Sequence, residues 1–184
     1  MSVKDELKAI IRELSYEERE VTLASGRKSN FYFDGKQTTL HARGGLLVGQ
    51  AFWNEVKKID DQVVGVGGLT LGADPIATAT SIAAQLEGYH VHAFIIRKEP
   101  KGHGTGQWLE GRKNLPPGSK VVIVEDVTTT GGSSMKAVER AEEEGLNVVG
   151  IVTLVDREEG AREAIEGGGQ ILRAVFTKAE VVGA

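Results

Sequence analysis

A chain of 184 residues with a formal net charge of −4 and no cysteine is long enough for a single domain with a sizeable core. The missing cysteines exclude a disulfide framework and a thiolate metal site, and the acidic balance argues against non-specific binding to nucleic acid or to an anionic membrane. Asp5 and Glu6 with no apolar block after them predict no signal peptide, no apolar stretch approaches the length of a membrane span, and a cytoplasmic protein is expected.

Residues 3–14 place Val3, Leu7, Ile10, Ile11 and Leu14 at helical spacing, and Ser2 with Asp5 three residues on forms a capping-box pattern. The run EVTLASGRKSNFYFDG reads as two short strands around a polar turn, with Phe31 and Phe33 on one face and Tyr32 on the other. Residues 43–58 read as a helix. A regular alternation then begins. VVGVGG is a short buried strand, and Asp74-Pro75 opens a helix that runs through Leu86 and closes at Gly88. VHAFII and VVIV are further strands, the latter ending at Val124 and followed by a helix from Ser133 to Glu144. NVVGIVTLV, the short helix GAREAIEG and the strand ILRAVF complete the order. Apolar runs alternating with helices predict an α/β fold with a mostly parallel sheet covered on both faces. Residues 97–119 form the one long irregular segment, and a loop of that length in a compact domain is usually functional or disordered.

The stretch VVIVEDVTTTGGSS, residues 121–134, carries more polar chemistry than a turn requires. It lies where a strand gives way to a helix, the place where open α/β sheets bind ligands. Backbone N–H groups from Thr128 to Ser133 and the helix dipole favour an anion, and Gly131 and Gly132 allow its close approach. Two carboxylates beside a phosphate make sense when the ligand also carries hydroxyls or a divalent cation, as a ribose 5-phosphate does. A capped turn is the plainer account of Glu125 and Asp126.

This stretch resembles the phosphoribosyl-pyrophosphate (PRPP) signature of the type I phosphoribosyltransferases; it is neither a Walker loop nor a dinucleotide fingerprint. The resemblance implies that Glu125 and Asp126 face the ribose hydroxyls and that Val127, Thr128, Thr129, Thr130, Gly131, Gly132 and Ser133 take the 5-phosphate. Three further segments are similar to the orotate phosphoribosyltransferases within that family. The segment IIRKEPKGHGTG places Arg97, Lys98, Lys101 and His103 in a locally positive loop, against a plain reading as a solvated loop. SGRKSNFYFDGK brings Lys28 before three aromatic residues, against a reading of the aromatics as hairpin core. TLVDREEG ends a strand in Asp156-Arg157, and an arginine there can grip a carboxylate in two places; the plain alternative pairs Arg157 with Glu158 or Glu159.

The resemblance implies transfer of a phosphoribosyl group to orotate, with loss of diphosphate, in de novo pyrimidine biosynthesis. It implies one phosphoribosyltransferase domain over residues 1–184, with residues 1–40 and the C-terminal end as a small hood. Lys101, His103 and Asp126 are the expected catalytic residues, with Arg97 and Lys98 joining the PRPP contacts; Lys101 and His103 are both candidates for the proton donor. Lys28, Thr129 and Arg157 are expected to bind orotate. Mg²⁺ is expected to be held mainly by substrate, with no metal cage made of protein alone. A homodimer with shared active sites, and neither nucleic acid nor membrane as a partner, completes the expectation. One departure stands out: in the strand-end loop GVGGLTLGADPIA many members carry a lysine just before the glycine that precedes the helix, where this chain has Leu71, so diphosphate would rest on backbone N–H groups of residues 68–73 and on the basic loop. The alternatives are a transferase for another base, a regulator that binds PRPP without chemistry, and an unrelated phosphate-binding module.

Overall fold

The computed structural model describes residues 2–22, 28–100 and 107–183. Helix α1 (Val3–Leu14) starts as its sequence dictates: the Ser2 hydroxyl accepts from the Asp5 N–H at 3.1 Å, and the Asp5 carboxylate accepts from the Ser2 N–H at 3.2 Å. Its Leu7 and Ile11 are fully buried, one turn apart on one face. Strands β1 (Tyr16–Thr22) and β2 (Lys28–Phe33) pair antiparallel as a separate ribbon, with Tyr16 opposite Phe33. Helices α2 (Lys36–Thr39) and α3 (Ala42–Val56) follow.

The main sheet alternates with helices in chain order: β3 (Gly65–Leu69), α4 (Ala73–Leu86), β4 (His92–Ile96), β5 (Leu109–Glu110), β6 (Lys120–Thr128), α5 (Gly132–Glu143), β7 (Asn147–Asp156), α6 (Ala161–Gly167) and β8 (Leu172–Thr177). A short α7 (Lys178–Val182) ends the described chain. The strand order is β5-β4-β3-β6-β7-β8, parallel throughout except for the two-residue edge strand β5. The first half winds toward one edge from β3 and the second half toward the other from β6, so the order reverses between β3 and β6. A ligand crevice is expected there, at the carboxyl ends of the strands.

Two cores sandwich the sheet. Val122 and Val124 of β6 join Phe52, Trp53 and Ile76 from α3 and α4, while Val121 and Ile123 join Ala137, Val138 and Ile165 from α5 and α6. This alternation fixes where the acids that follow must point. The first core also takes in α1 and α7, and the Arg12 guanidinium donates to the Val181 carbonyl at 2.5 Å, so the two ends of the chain close over one side.

The expected α/β architecture is observed, with four differences. β6 does not end at Val124 but runs through both acids to Thr128, because Glu125 and Thr128 pair in register with Thr153 and Asp156 of β7. The helix after it begins at Gly132. The segment 97–119 holds β5 and a 3₁₀ turn at Arg112–Asn114, so it is more regular than expected. Finally, α2 and α7, of four and five residues, are too short to leave a periodic trace.

Candidate active site

The end of β6 divides its two acids between the faces of the sheet. Glu125 follows Val121 and Ile123 toward α5, where its carboxylate accepts from the Ser133 hydroxyl at 3.2 Å and the Ser134 hydroxyl at 3.4 Å. Burial and the neighbouring Asp126 charge push the Glu125 carboxyl up to about 7, against the pull of the two serines. Asp126 follows Val122 and Val124 toward α4. There it lies between two glycines: a Cβ on Gly72 would come 2.8 Å from its Oδ1, and a Cβ on Gly35 would come 2.9 Å from its Cβ. Only glycine lets both backbones approach this closely. Burial raises the Asp126 carboxyl above its ordinary value, with the Lys36 charge opposing.

The loop after β6 turns on Gly131, whose φ of 81° is a left-handed conformation natural to glycine. A side chain there would also press on Ile165 of α6, so α6 supports the loop from behind. Gly132 and Ser133, the first residues of α5, are exposed, and a helix N-terminus presented in this way is suited to a phosphate. Thr128 is buried and its hydroxyl has no hydrogen-bond partner among the described residues, on the same strand face as Asp126. A buried hydroxyl left in this state beside a crevice is suited to a ligand.

Beyond Thr128 the site continues into β7 and β2. The Arg157 N–H donates to the Thr128 carbonyl at 2.9 Å. The Arg157 side chain is nine-tenths buried, pairs with Glu159 at 3.0 Å and sits 5.2 Å from the centre of the Phe31 ring, over which Lys178 also lies at 5.4 Å. Pairing with Glu159 is part of the plain alternative for Arg157; burial against an aromatic ring is not. Phe31 and Phe33 stack at 6.0 Å, and Tyr32, on the other face, carries the Arg19 guanidinium at 3.9 Å, so the period of two holds in β2. Lys28 is separated from this group: its ammonium is exposed and pairs across the hairpin with Glu20 at 2.8 Å.

The basic loop is anchored at both stems. Arg97 pairs with Glu110 at 3.1 Å and its N–H donates to the Trp108 carbonyl at 2.9 Å. The Trp108 ring stacks under the Arg140 guanidinium of α5 at 4.1 Å, which ties the returning stem to the helix that opens at the anion loop. Lys98 is exposed beside Arg97. Lys101 and His103 lie outside the described residues.

Across the crevice, the loop between β3 and α4 runs Leu69, Thr70, Leu71, Gly72, with a cis peptide between Thr70 and Leu71 and the Thr70 hydroxyl donating to Asp74 at 2.6 Å. Leu71 is two-thirds exposed. The sequence reading assigned no role to Lys36 or Lys178, nor to the Gly35–Asp126–Gly72 contact. Of these, only the Asp-Gly-Lys of residues 34–36 left a turn signal. Among the described residues no group of three or more His, Asp or Glu side chains could hold a metal ion.

Comparison with known proteins gives this arrangement its relatives. Residues 36–167 match the family model of the phosphoribosyl transferase domain. An orotate phosphoribosyltransferase from Nostoc sp. is 44% identical over 176 residues, 96% of this chain and 84% of that one. One from Sorangium cellulosum is 42% identical over 181 residues, 98% of this chain and 94% of that one. The crystal structure of Mycobacterium tuberculosis H37Rv orotate phosphoribosyltransferase in complex with 5-phospho-α-D-ribosyl 1-diphosphate has a TM-score of 0.82 and 39% identity, covering 98% of this chain and 99% of that one.

Proposed function

The chain belongs to the type I phosphoribosyltransferases, among the orotate phosphoribosyltransferases, and on that premise we propose how its own residues divide the work. It is an orotate phosphoribosyltransferase: it moves the phosphoribosyl group of PRPP to orotate, giving orotidine 5′-phosphate and diphosphate in pyrimidine biosynthesis. The observation that carries the residue assignment is the β6–α5 junction, where the exposed first residues of α5, a Thr128 hydroxyl without a hydrogen-bond partner among the described residues and two acids of raised affinity for protons meet.

In the proposed division, the loop Thr128–Ser133 holds the 5-phosphate on backbone N–H groups at the positive end of α5. Val127 continues the strand that presents it. Glu125 and Asp126 approach the ribose from opposite faces of the sheet, the first through Ser133 and the second from between Gly35 and Gly72. Positive charge develops at the anomeric carbon as diphosphate leaves, and a carboxylate at Asp126 stabilises it. Orotate lies toward Phe31, with Thr129 beside it and its carboxylate on Arg157; Lys28 reaches the base only by leaving Glu20.

Arg97 and Lys98 lead into the basic loop, and Lys101 and His103 neutralise the departing diphosphate, one of them supplying a proton. Closure of that loop excludes water, which would otherwise hydrolyse the activated sugar. Mg²⁺ is the proposed cofactor. The described residues suit an ion carried in by substrate, since their acids do not cluster into a cage. Bound in that way, it supplies charge neutralisation to the diphosphate and ribose oxygens.

The same reading makes the chain one domain, with residues 1–40 and the C-terminal end forming the hood, and makes the protein a homodimer with shared sites. Supporting the dimer is a groove of about 760 Å³ between α3 and α4 that exposes Leu46, Leu71, Ile82 and Leu86. An apolar surface of that kind marks an interaction site. No described helix is long and apolar enough to cross a membrane, and the acidic balance supports neither nucleic acid nor membrane as a partner; the proposed location is the cytoplasm.

The test is nucleotide formation from PRPP and Mg²⁺ with orotate, adenine or hypoxanthine, alongside Thr128→Val and Arg157→Lys variants. Turnover of orotate that survives both substitutions at parental KM values would overturn the residue assignment.

A further inference from the structure

The loop that faces Asp126 from α4 has no positive side chain. Residues 68–73 read Gly-Leu-Thr-Leu-Gly-Ala and lead into Asp74. Asp126 lies against Gly72 of this loop, and the Asp34 charge acts on Asp126. A diphosphate resting on the backbone of this loop would therefore meet three carboxylates, and repulsion between close like charges is costly in a partly buried crevice. One cation is built into this end of the site. Gly35 is in contact with Asp126, so the residue that follows it is held at the crevice by its backbone. That residue is Lys36. Its side chain is half-exposed and shares a cavity wall with Leu71 and Asp74, while its ammonium rests on Asp34 at 2.8 Å. Because that side chain is half-exposed, this single ion pair can be exchanged for contact with a polyanion.

We infer that Lys36 binds the diphosphate end of PRPP, leaving Asp34 to meet the departing group across the Thr70–Gly72 loop. The inference rests on the PRPP reading above and adds to it a binding residue that follows β2, outside the basic loop. It explains why a cation is fixed to the glycine that touches Asp126: ribose and diphosphate are joined at the anomeric carbon, so a carboxylate for the sugar and a cation for the leaving group must be neighbours. The Lys36 charge also opposes the rise that burial imposes on Asp126.

Titration calorimetry with two probes tests this. Inorganic diphosphate with Mg²⁺ reads the leaving-group site, and orotidine 5′-phosphate reads the phosphate loop and the base site. In Lys36→Met the affinity for diphosphate is expected to fall at least roughly tenfold, the worth of one charge-assisted contact, while orotidine 5′-phosphate binds within about twofold of the parent. Unchanged diphosphate binding overturns the inference, and so does an equal loss for both probes, which would mark Lys36 as merely structural. Should Lys36→Met fail to fold, Lys36→Gln measured in the same way decides the question. The parent protein separates the two levels: if it binds neither probe, the PRPP reading itself fails, whereas normal binding by the parent and an indifferent Lys36→Met remove this inference alone.

Discussion

The Ser133 hydroxyl donates to the Glu125 carboxylate at 3.2 Å, joining the buried end of β6 to the first turn of α5. The bond places a carboxyl that titrates near neutrality directly behind the phosphate loop. In the folded protein this carboxyl stands at about 7, and in the unfolded chain near 4.5. Between those values the native state binds more protons than the unfolded one. The stabilisation is full below about pH 4.5 and is lost as pH rises through 7, up to about 3 kcal/mol in all. Glu125→Gln keeps an acceptor for the serines and removes the titration. Urea denaturation of ligand-free protein should show the variant gaining on the parent from about pH 5 to about pH 8; parallel pH profiles would remove the buried-acid account.

Gly72 lies against Asp126, and a methyl group there would come 2.8 Å from the carboxylate. Gly72→Ala must therefore displace either the loop or the acid. Overpacking of this kind costs about 1–3 kcal/mol. The expected mark of a site effect is a loss in kcat/KM for PRPP of roughly tenfold or more, since displacement by about 1 Å at a reacting centre costs more in rate than in stability. Gly167→Ala in α6 meets nothing within 4 Å and serves as the control, with melting temperature and turnover near parental. Equal behaviour of the two variants would mean the Gly72 contact has no part in the reaction.

The order of strands and helices could be read from the apolar runs, and the Ser2–Asp5 capping box from three residues, because both signals are local. The course of β6 beyond Val124 could not. Glu and Asp are poor strand formers, yet the β7 ladder, with Thr153 opposite Glu125 and Asp156 opposite Thr128, holds them extended. Ending the strand early also hid the consequence of its period of two, which sends the acids to opposite faces. Arg157 stood in the sequence as a surface pair or a carboxylate grip, and its burial against Phe31 comes from a distant hairpin, a contact that neither reading contained. Lys36 follows an ordinary Asp-Gly turn, and its place beside Asp126 depends on a contact between residues about ninety positions apart, for which a single sequence carries no signal.

Arg157 presents a planar, largely buried guanidinium beside Phe31 and the end of β6. Lysine at this position keeps the charge and loses the paired donors that match a carboxylate. In Arg157→Lys the KM for orotate is expected to rise roughly tenfold to a hundredfold, equivalent to about 1.5–3 kcal/mol for a hydrogen bond to a charged group. The KM for PRPP should change little, because the phosphate loop and Asp126 are untouched. Steady-state kinetics with each substrate varied in turn measures both. A rise confined to PRPP would place Arg157 on the sugar-phosphate and leave orotate without its expected grip.

The basic loop hangs from two fixed stems, Arg97 on Glu110 at 3.1 Å and Trp108 under Arg140 at 4.1 Å. In sequence, the stretch between those stems sets Lys101 and His103 among Gly102, Gly104 and Gly106 and carries no large apolar residue. Removing the Lys101 ammonium should therefore leave the melting temperature near parental while depriving the departing diphosphate of a charge or a proton. A positioned acid or cation at such a point contributes roughly 10²-fold or more to turnover. Lys101→Ala is expected to lose kcat on that scale, with the affinity for orotidine 5′-phosphate preserved, since that product carries no diphosphate. Calorimetric melting and single-turnover rates check the two halves together. Parental rates at an unchanged melting temperature would exclude Lys101 from the chemical step and leave His103 as the loop's proton donor.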